Sequence, residues 1–185
     1  MNTKCEAEKR IHEFLNSENG TMVLSGTHMF KKHKLILNIL AKKCENLKIL
    51  FRVNSLQNTD NRDFLGFKAN TGKAYKLGKN ELYIDSMNAK SWGKTPNDFD
   101  IIIFYPAGSL YKRKSAEVKN NLEDIFKIKN ANKIIFVTCQ EGKYSDISYL
   151  KEYDDIFHVE YDSEEDDIEY HKRVLEDKFI YNFKK

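Results

Sequence analysis

The chain has 185 residues, which is within the size range of one domain and long enough to bury a substantial hydrophobic core. Hydrophobic residues make up 41% of the sequence and charged residues 32%, a balance that excludes an intrinsically disordered chain. The net charge of +3 is smaller than a dedicated nucleic-acid-binding domain usually carries. Because there is neither an apolar run of membrane-spanning length nor a signal-peptide core, we expect a cytoplasmic protein that does not bind membranes.

The three cysteines, Cys5, Cys44 and Cys139, are odd in number and far apart in the sequence. This pattern is typical of reduced thiols and indicates neither a disulfide framework nor a zinc site. The five histidines show no metal-ligand spacing with one another. From these residues we expect no metal site.

The first part of the chain predicts a helix followed by a strand–helix–strand unit. Apolar residues at helical spacing indicate a helix over residues 5–16, which Asn19-Gly20 ends. Residues 21–25 predict a short buried strand, residues 32–43 a helix with one apolar face, and residues 47–53 a second strand. Such a unit usually forms part of a parallel sheet.

The middle of the chain predicts a hairpin followed by the most apolar strand. Residues 73–85 contain two strand-like segments around a Gly-Lys-Asn turn, so we expect a β-hairpin insertion there. Within this hairpin, Glu81 and Asp85 lie on one face, and we expect both carboxylates to be exposed. Residues 100–105 are almost continuously apolar, which is typical of a central strand buried on both faces.

The last third predicts a helix over residues 115–129, a strand over residues 133–138 and two closing strands over residues 156–161 and 178–183. The acidic run of residues 162–167 joins the closing strands. Since it lacks the glycine and ligand spacing of a calcium loop, we expect a solvated hairpin tip. Together the elements predict a single α/β domain with a mainly parallel central sheet, helices on both faces and antiparallel C-terminal strands.

The segment between the first strand and the following helix resembles a phosphate-binding loop, whose pattern is G-x-x-x-x-G-K-[ST]. The eight corresponding positions, residues 26–33, are GTHMFKKH. Gly26 and Lys32 match the pattern, but Lys31 replaces the second glycine and His33 replaces the hydroxyl residue that holds Mg²⁺. A neutral imidazole is a poor ligand for this hard cation.

The residues allow two interpretations of this loop. In the first, it is a tight turn inherited with the fold, and its lysines are solvated. In the second, it binds a phosphate or another anion at the N-terminus of a helix, where free N–H groups and several cations meet. The anion-binding residues would then be Gly26, Lys31, Lys32 and His33.

The order of elements resembles the RecA-like ATPase core of recombinases, circadian-clock ATPases and replicative-helicase motors. The resemblance covers about residues 20–185 and includes the loop, the apolar strand ending at Tyr105, and the segment IIFVTCQ, in which Gln140 would be the sensor glutamine. A further segment, YSDISYLKEYDDIFHVEYD, resembles the part of the family that follows the sensor. The resemblance implies a P-loop NTPase fold and side-by-side self-association.

The positions that perform catalysis in this family hold other residue types here. The family has a glutamate base at the end of the second strand and a metal-supporting aspartate at the end of the apolar strand. This sequence has Gln57 near the first position, which cannot act as a base, and Tyr105 at the second. With His33 in the loop, we expect no catalytic residue, no metal and no cofactor. ATP that binds would not be hydrolysed.

A second group of cations begins the helix that follows the apolar strand. Lys112, Arg113 and Lys114 oppose the helix dipole there, so they do not stabilise the helix. They form either a solvated loop or a contact to nucleic-acid phosphates. In a RecA-like fold this segment and the phosphate loop share the carboxyl edge of the sheet. The predicted nucleic-acid-binding residues, with the tyrosine stacking on a base, are Lys34, Tyr111, Lys112, Arg113 and Lys114.

These observations predict a catalytically degenerate RecA-like accessory protein. It would bind single- or double-stranded DNA, an ATPase or helicase partner, or further copies of itself. The alternative is an atypical nucleotide-binding NTPase or phosphoryl-transfer enzyme, in which Lys31 and Lys32 hold phosphates and Asp85 or Asp100 holds a metal. A pure protein-interaction subunit is a third hypothesis.

Overall fold

A seven-stranded sheet forms the centre of the molecule in the computed structural model, which describes residues 2–138, 146–153 and 155–183. The strand order across the sheet is β3-β4-β2-β5-β6-β1-β7. All neighbouring strands are parallel except β3 and β4, which form the predicted hairpin. The strands are β1 (Thr21–Ser25), β2 (Glu45–Val53), β3 (Ala74–Leu77), β4 (Lys79–Ser86), β5 (Ile101–Tyr105), β6 (Lys133–Val137) and β7 (Phe157–Glu160).

The described ranges contain four α-helices beside the sheet: α1 (Lys4–Asn16), α2 (Lys32–Lys43), α3 (Ser115–Glu123) and α4 (Ile168–Phe183). The first three confirm the predicted helices, and α3 continues into a π-helical turn over Asp124–Ile128. No helix in the described ranges has the length and apolar character needed to cross a membrane.

The two faces of the sheet carry separate hydrophobic layers, because successive side chains of a strand point to opposite faces. On one face, Phe51 of β2 shares a buried cluster with Ile36 of α2. On the other, Phe104 of β5 shares a cluster with Leu122 of α3. All five residues of β5 are buried, which confirms it as a central strand. Helices α2 and α3 therefore cover opposite faces.

The C-terminal elements differ from the predicted pair of antiparallel strands. Strand β7 confirms the first of them but runs parallel to β1, with His158 opposite Val23. Residues 178–183 belong to helix α4, so the prediction of a strand there is wrong. The reason is that a short apolar run has the same composition in a strand as in the last turns of a helix, and periodicity cannot separate the two.

The hairpin completes one edge of the main sheet, because β4 also pairs in parallel with β2. In this register Asp85 lies opposite Arg52. The expectation that both hairpin carboxylates are exposed is therefore wrong for one of them: Glu81 is exposed, but Asp85 is completely buried.

A buried ion-pair network explains the position of Asp85. The Arg52 guanidinium donates two hydrogen bonds to the Asp85 carboxylate, at 2.8 and 2.6 Å, and one to Asp124 at 2.6 Å. Its Cζ also lies 4.8 Å from the centre of the Trp92 ring. Buried carboxylates are tolerated when they are paired in this way. The network joins strand β4 to the π-helical turn that follows α3.

We predict that Arg52→Met lowers the free energy of unfolding by about 3–5 kcal/mol, because it leaves two buried carboxylates without their counter-charge. Urea denaturation followed by circular dichroism measures the change. Lys48→Met is the matched control, since Lys48 lies on the same strand but pairs with Asp98 at the surface, at 2.6 Å. Equal destabilisation by the two substitutions would contradict the structural role of the buried network.

Candidate functional site

The segment that resembles a phosphate loop lies where the sequence places it. Strand β1 ends at Ser25 and α2 begins at Lys32, so residues 26–31 form the connection between them. The loop directly follows the C-terminal end of β1, which lies inside the sheet between β6 and β7. It is therefore at the carboxyl edge of the parallel strands. Ligands of open α/β sheets bind at this edge.

Gly26 is required by a contact within the chain. Its φ of +111° is a conformation that side-chain-bearing residues rarely adopt, and a Cβ atom there would overlap the backbone of Tyr161. Two backbone hydrogen bonds hold this approach: Tyr161 N–H donates to Ser25 at 2.9 Å, and His28 N–H donates to Tyr161 at 3.3 Å. The glycine that matches the phosphate-loop pattern thus allows the segment after β7 to pack against the loop.

The lysines of the loop and of α2 point to different partners. Lys32 is completely buried, and its Nζ donates to the carbonyl oxygen of Gly26 at 2.5 Å. Lys34 donates from Nζ to the carbonyl oxygen of Arg62 at 2.6 Å. The interpretation in which all lysines of this segment are solvated is therefore wrong for Lys32, whose ammonium group joins the end of the loop to its beginning.

His33 and Tyr105, which take the places of the Mg²⁺ ligand and its supporting aspartate, lie against each other. Their ring centroids are 4.0 Å apart with the planes 23° from parallel, and both residues are buried. The ring of Phe64 lies 5.1 Å from that of Tyr105. The structure thus brings together the two positions that the family resemblance pairs, and it fills the region with aromatic rings.

Burial makes His33 a neutral packing residue. Its Nε2 donates to the carbonyl oxygen of Phe64 at 3.0 Å, which places the ring proton on that nitrogen. Burial lowers the pKa of His33 to about 4; the bond to Phe64 opposes this shift, while the charges of Lys34 and Lys32 add to it. Its Nδ1 atom is buried and has no hydrogen-bond partner in the described part of the chain.

The acidic run, residues 162–167, begins packed against the loop and leads into a helix, so the prediction of a hairpin tip is wrong, although residues 165–167 are exposed as expected. We call these residues the acidic turn. Asp162 accepts the backbone N–H of Thr27 at 2.8 Å. Asp166 accepts from Nε2 of His28 at 2.7 Å and from Nζ of Lys31 at 2.8 Å. The turn directly follows β7, which is the neighbour of β1, and this adjacency across some 135 residues has no local sequence signal.

Further polar contacts hold the acidic turn in place. The Thr27 hydroxyl lies 3.1 Å from Oγ of Ser163 and 2.9 Å from Nδ1 of His171 on α4. The Ser163 N–H donates to the same hydroxyl at 2.8 Å, and Ser163 is only 1% exposed. Near the N-terminus, Asn2 donates to the second carboxylate oxygen of Asp162 at 2.8 Å. Sequence reasoning missed all four of these residues and Asp162.

The charges of the turn and the loop are complementary. The hydrogen bonds from Lys31 and His28 lower the pKa of Asp166, so its carboxylate is ionised at neutral pH. Burial lowers the pKa of His28, whose ring lies 4.4 Å from that of Tyr161. An ionised carboxylate therefore lies against the cationic side chain of Lys31.

The cations assigned to one basic surface line two different pockets. Lys31 and Lys34 line a pocket of about 350 Å³ beside the acidic turn. Tyr111 and Arg113 line a second pocket, of about 620 Å³, along α3. Because α2 and α3 cover opposite faces of the sheet, each pocket belongs to its own side of the carboxyl edge.

The second pocket has an exposed aromatic ring beside basic residues. Tyr111 is 43% exposed. Arg113 pairs with Glu117 at 3.0 Å, and Lys114 is exposed at the N-cap position of α3. The side chain of Lys112 and the predicted sensor Gln140 lie outside the described residues.

Asp85 and Asp100, the carboxylates that the alternative enzyme hypothesis names as metal ligands, have other partners in the structure. Asp85 belongs to the buried network with Arg52. Asp100 directly precedes β5, at the opposite edge of the sheet, where it accepts the N–H of Lys48 at 2.7 Å. Gln57 is exposed on a short 3₁₀ helix after β2. Within the ranges that the structure describes, no group of three or more His, Cys, Asp or Glu side chains is arranged to hold a metal ion.

Known structures share this architecture. The chain is similar to the large terminase of the thermophilic bacteriophage D6E, with a TM-score of 0.56 and 11% sequence identity over 94% of this chain and 48% of the terminase. The same terminase in complex with ADP matches with a TM-score of 0.55 and 10% identity over the same shares. This chain thus spans about half the length of these structures. No protein-family model and no curated protein sequence matches it.

The structural likeness shows that this chain shares the fold of part of these terminase structures, and it does not select the recombinase or helicase type. It confirms the predicted fold class, a mixed α/β domain with a mostly parallel sheet surrounded by helices. At this level of identity the likeness concerns the fold alone, and the chemistry has to be argued from the residues at the loop.

We predict that His33 makes the stability of the fold depend on pH. Its pKa is 6.5 when unperturbed and about 4 in the folded protein. Below about pH 6.5 the unfolded chain therefore binds a proton that the folded chain does not bind. The free energy of unfolding should decrease by about 3 kcal/mol between pH 6.5 and pH 4. Urea denaturation at a series of pH values measures this decrease.

His33→Phe keeps a ring in the stack and removes the titrating group, so most of this decrease should disappear. His12→Phe on α1 is the matched control and should retain it. A smaller decrease should remain in His33→Phe, because the pKa of His28 is also lowered. If the two variants show the same pH dependence, His33 is not its source.

Proposed function

We propose that this chain is a catalytically degenerate P-loop protein that acts by binding, as an accessory subunit, and does not hydrolyse ATP. The observation that carries this proposal is the buried stack of His33 on Tyr105, with 4.0 Å between the ring centroids. These are the two positions at which the family resemblance places the Mg²⁺ ligand and its support. Phosphoryl transfer in P-loop proteins depends on a metal ion held by hard oxygen ligands there.

The hydrogen bonds of the stacked residues support the same conclusion. The Tyr105 hydroxyl, the one oxygen that either side chain offers, lies 3.4 Å from the carbonyl oxygen of Met29 and donates to it. The Nε2 proton of His33 is directed to Phe64. The rings thus complete the packing at the end of β5, and neither side chain offers the carboxylate or the free hydroxyl oxygen that Mg²⁺ prefers.

Three donors of the loop segment also have partners within the chain. In a phosphate loop the backbone N–H groups and the lysine bind phosphate oxygens. Here the N–H of Thr27 is bound to Asp162, the ammonium group of Lys31 to Asp166, and that of Lys32 to Gly26. One of the similar terminase structures contains ADP. In this chain a nucleotide would have to break these contacts before it could bind.

We predict that the purified protein does not release phosphate from ATP in the presence of Mg²⁺ above the buffer background. Its melting temperature should also stay unchanged in about 5 mM Mg²⁺–ATP, since stabilisation follows ligand occupancy. Lys32→Ala is the diagnostic variant. Phosphate release that Lys32→Ala abolishes would show that the loop is catalytic and would overturn the proposal, whereas release that the variant retains comes from a contaminating ATPase.

We propose single-stranded nucleic acid as the bound partner, at the pocket along α3. What favours this choice is the exposed ring of Tyr111 next to Arg113 and Lys114. Proteins that bind single strands combine such stacking surfaces with cations that contact the phosphates. Among the basic residues of the loop, Lys32 is buried and Lys31 is paired with Asp166, as Arg113 is with Glu117. The exposed Lys114 and the ring of Tyr111 therefore distinguish the pocket along α3.

We predict that Tyr111→Ala weakens binding of a fluorescent oligothymidine by about 1–3 kcal/mol, because it removes a stacked base. Arg113→Ala with Lys114→Ala should weaken binding and reduce the dependence of log K on log salt by about 1.4. Fluorescence anisotropy at several salt concentrations measures both effects.

Lys76→Ala with Lys79→Ala is the matched control, since it removes the same charge from the hairpin, at the far edge of the sheet. This control should leave affinity and salt dependence nearly unchanged. Absence of binding by the wild-type protein, or an equal loss in the control, would contradict the nucleic-acid assignment.

A further inference from the structure

We propose that the acidic turn takes the place of a phosphate anion at the loop of residues 26–31. By doing so, the turn prevents external phosphates from binding to this loop. This inference rests on the proposed function and adds the reason why the loop can fold without a nucleotide. The inference is based on hydrogen bonds that Asp162 and Asp166, from a distant part of the chain, accept from Thr27, His28 and Lys31 of the loop. Removing them should uncover a site for inorganic pyrophosphate or a related polyphosphate.

The N-terminus of α2 has an electrostatic need for an anion. The helix has no acidic residue in its first turn, and Lys31 at its N-cap position makes no side-chain capping bond. Lys32 and Lys34 add positive charge to the positive end of the helix dipole. Such an arrangement is unfavourable unless a negative group lies nearby.

The acidic turn supplies that negative group with two carboxylates at different positions. Asp162 accepts the N–H of Thr27 at 2.8 Å, as a phosphate oxygen does in a phosphate loop. Asp166 binds the ammonium group of Lys31 at 2.8 Å and the ring of His28 at 2.7 Å. One carboxylate therefore occupies a backbone donor, and the other neutralises the cationic side chains of the loop.

The turn combines a buried anchor with a solvent-exposed contact. Ser163, at its beginning, is 1% exposed and is bound to Thr27. The side chain of Asp166 is 47% exposed and faces the pocket that Lys31 and Lys34 also line. The anchor positions the two carboxylates on the loop, and the open pocket gives a soluble anion access to the same cations once the carboxylates are removed.

The test uses a double variant that combines Asp162→Ala and Asp166→Ala. Its thermal denaturation is compared with that of the wild-type protein. In chloride buffer the double variant should melt at a lower temperature than the wild type. Inorganic pyrophosphate at about 10 mM should raise its melting temperature by about 3–6 °C and leave that of the wild type unchanged. Potassium chloride at the same ionic strength controls for screening and should not reproduce the increase.

Glu164→Ala with Glu165→Ala is the matched control variant. It removes the same charge from the same turn, and neither glutamate makes a hydrogen bond to the loop in the described part of the chain. It should not respond to pyrophosphate. Addition of Lys31→Ala to the aspartate double variant should reduce the response, because one of the uncovered cations is then missing.

Two outcomes would overturn the inference: the aspartate double variant does not respond to pyrophosphate, or the glutamate variant responds equally. If the double variant does not fold, the single variant Asp166→Ala takes its place, because this side chain is half exposed, and it should show a smaller but measurable response. Neither outcome affects the proposed function, which is tested separately by ATP hydrolysis and oligonucleotide binding of the wild-type protein.

Discussion

The parallel pairing of β7 with β1 is the constraint on which the candidate site depends. Because the two strands run in the same direction, the segments that follow them emerge at the same edge of the sheet. Gly26 then lets the loop lie directly against the backbone of Tyr161, and Asp162 reaches the N–H of Thr27. An antiparallel β7 would have placed the acidic turn at the opposite edge and left the loop open.

The two sides of the loop are closed by different kinds of interaction. At the end of β5, the stack of His33 on Tyr105 consists of buried aromatic rings. Beside β7, the acidic turn is polar and binds the N–H of Thr27 and the ammonium group of Lys31. The first contact packs the start of α2 against the core, and the second balances part of the charge of the loop within the chain.

The sequence predicts well what depends on neighbouring residues. Helix α2 has the bounds that its apolar period indicates, and the apolar run before Pro106 becomes the fully buried β5. The family resemblance assigns His33 and Tyr105 to the metal site of the fold, but the sequence does not predict that the two rings stack on each other. The sequence also does not predict the partners of Asp85 or Asp162, since these lie 33 and 135 residues away and are set by strand register.

The distribution of charge in the structure decides which basic residues remain for a partner. A group of lysines in a sequence suggests a binding surface. A carboxylate of the same chain that lies 2.8 Å from one of these lysines, however, reduces the attraction between that lysine and an external anion. At the loop this cancellation is provided by Asp166, and Lys32 is removed from the surface altogether. Along α3, Lys114 and the ring of Tyr111 face solvent. The positions of the acidic residues in the fold therefore decide which cations are available to a partner: Lys31 is paired at the loop, and Lys114 is exposed on the opposite side of the sheet.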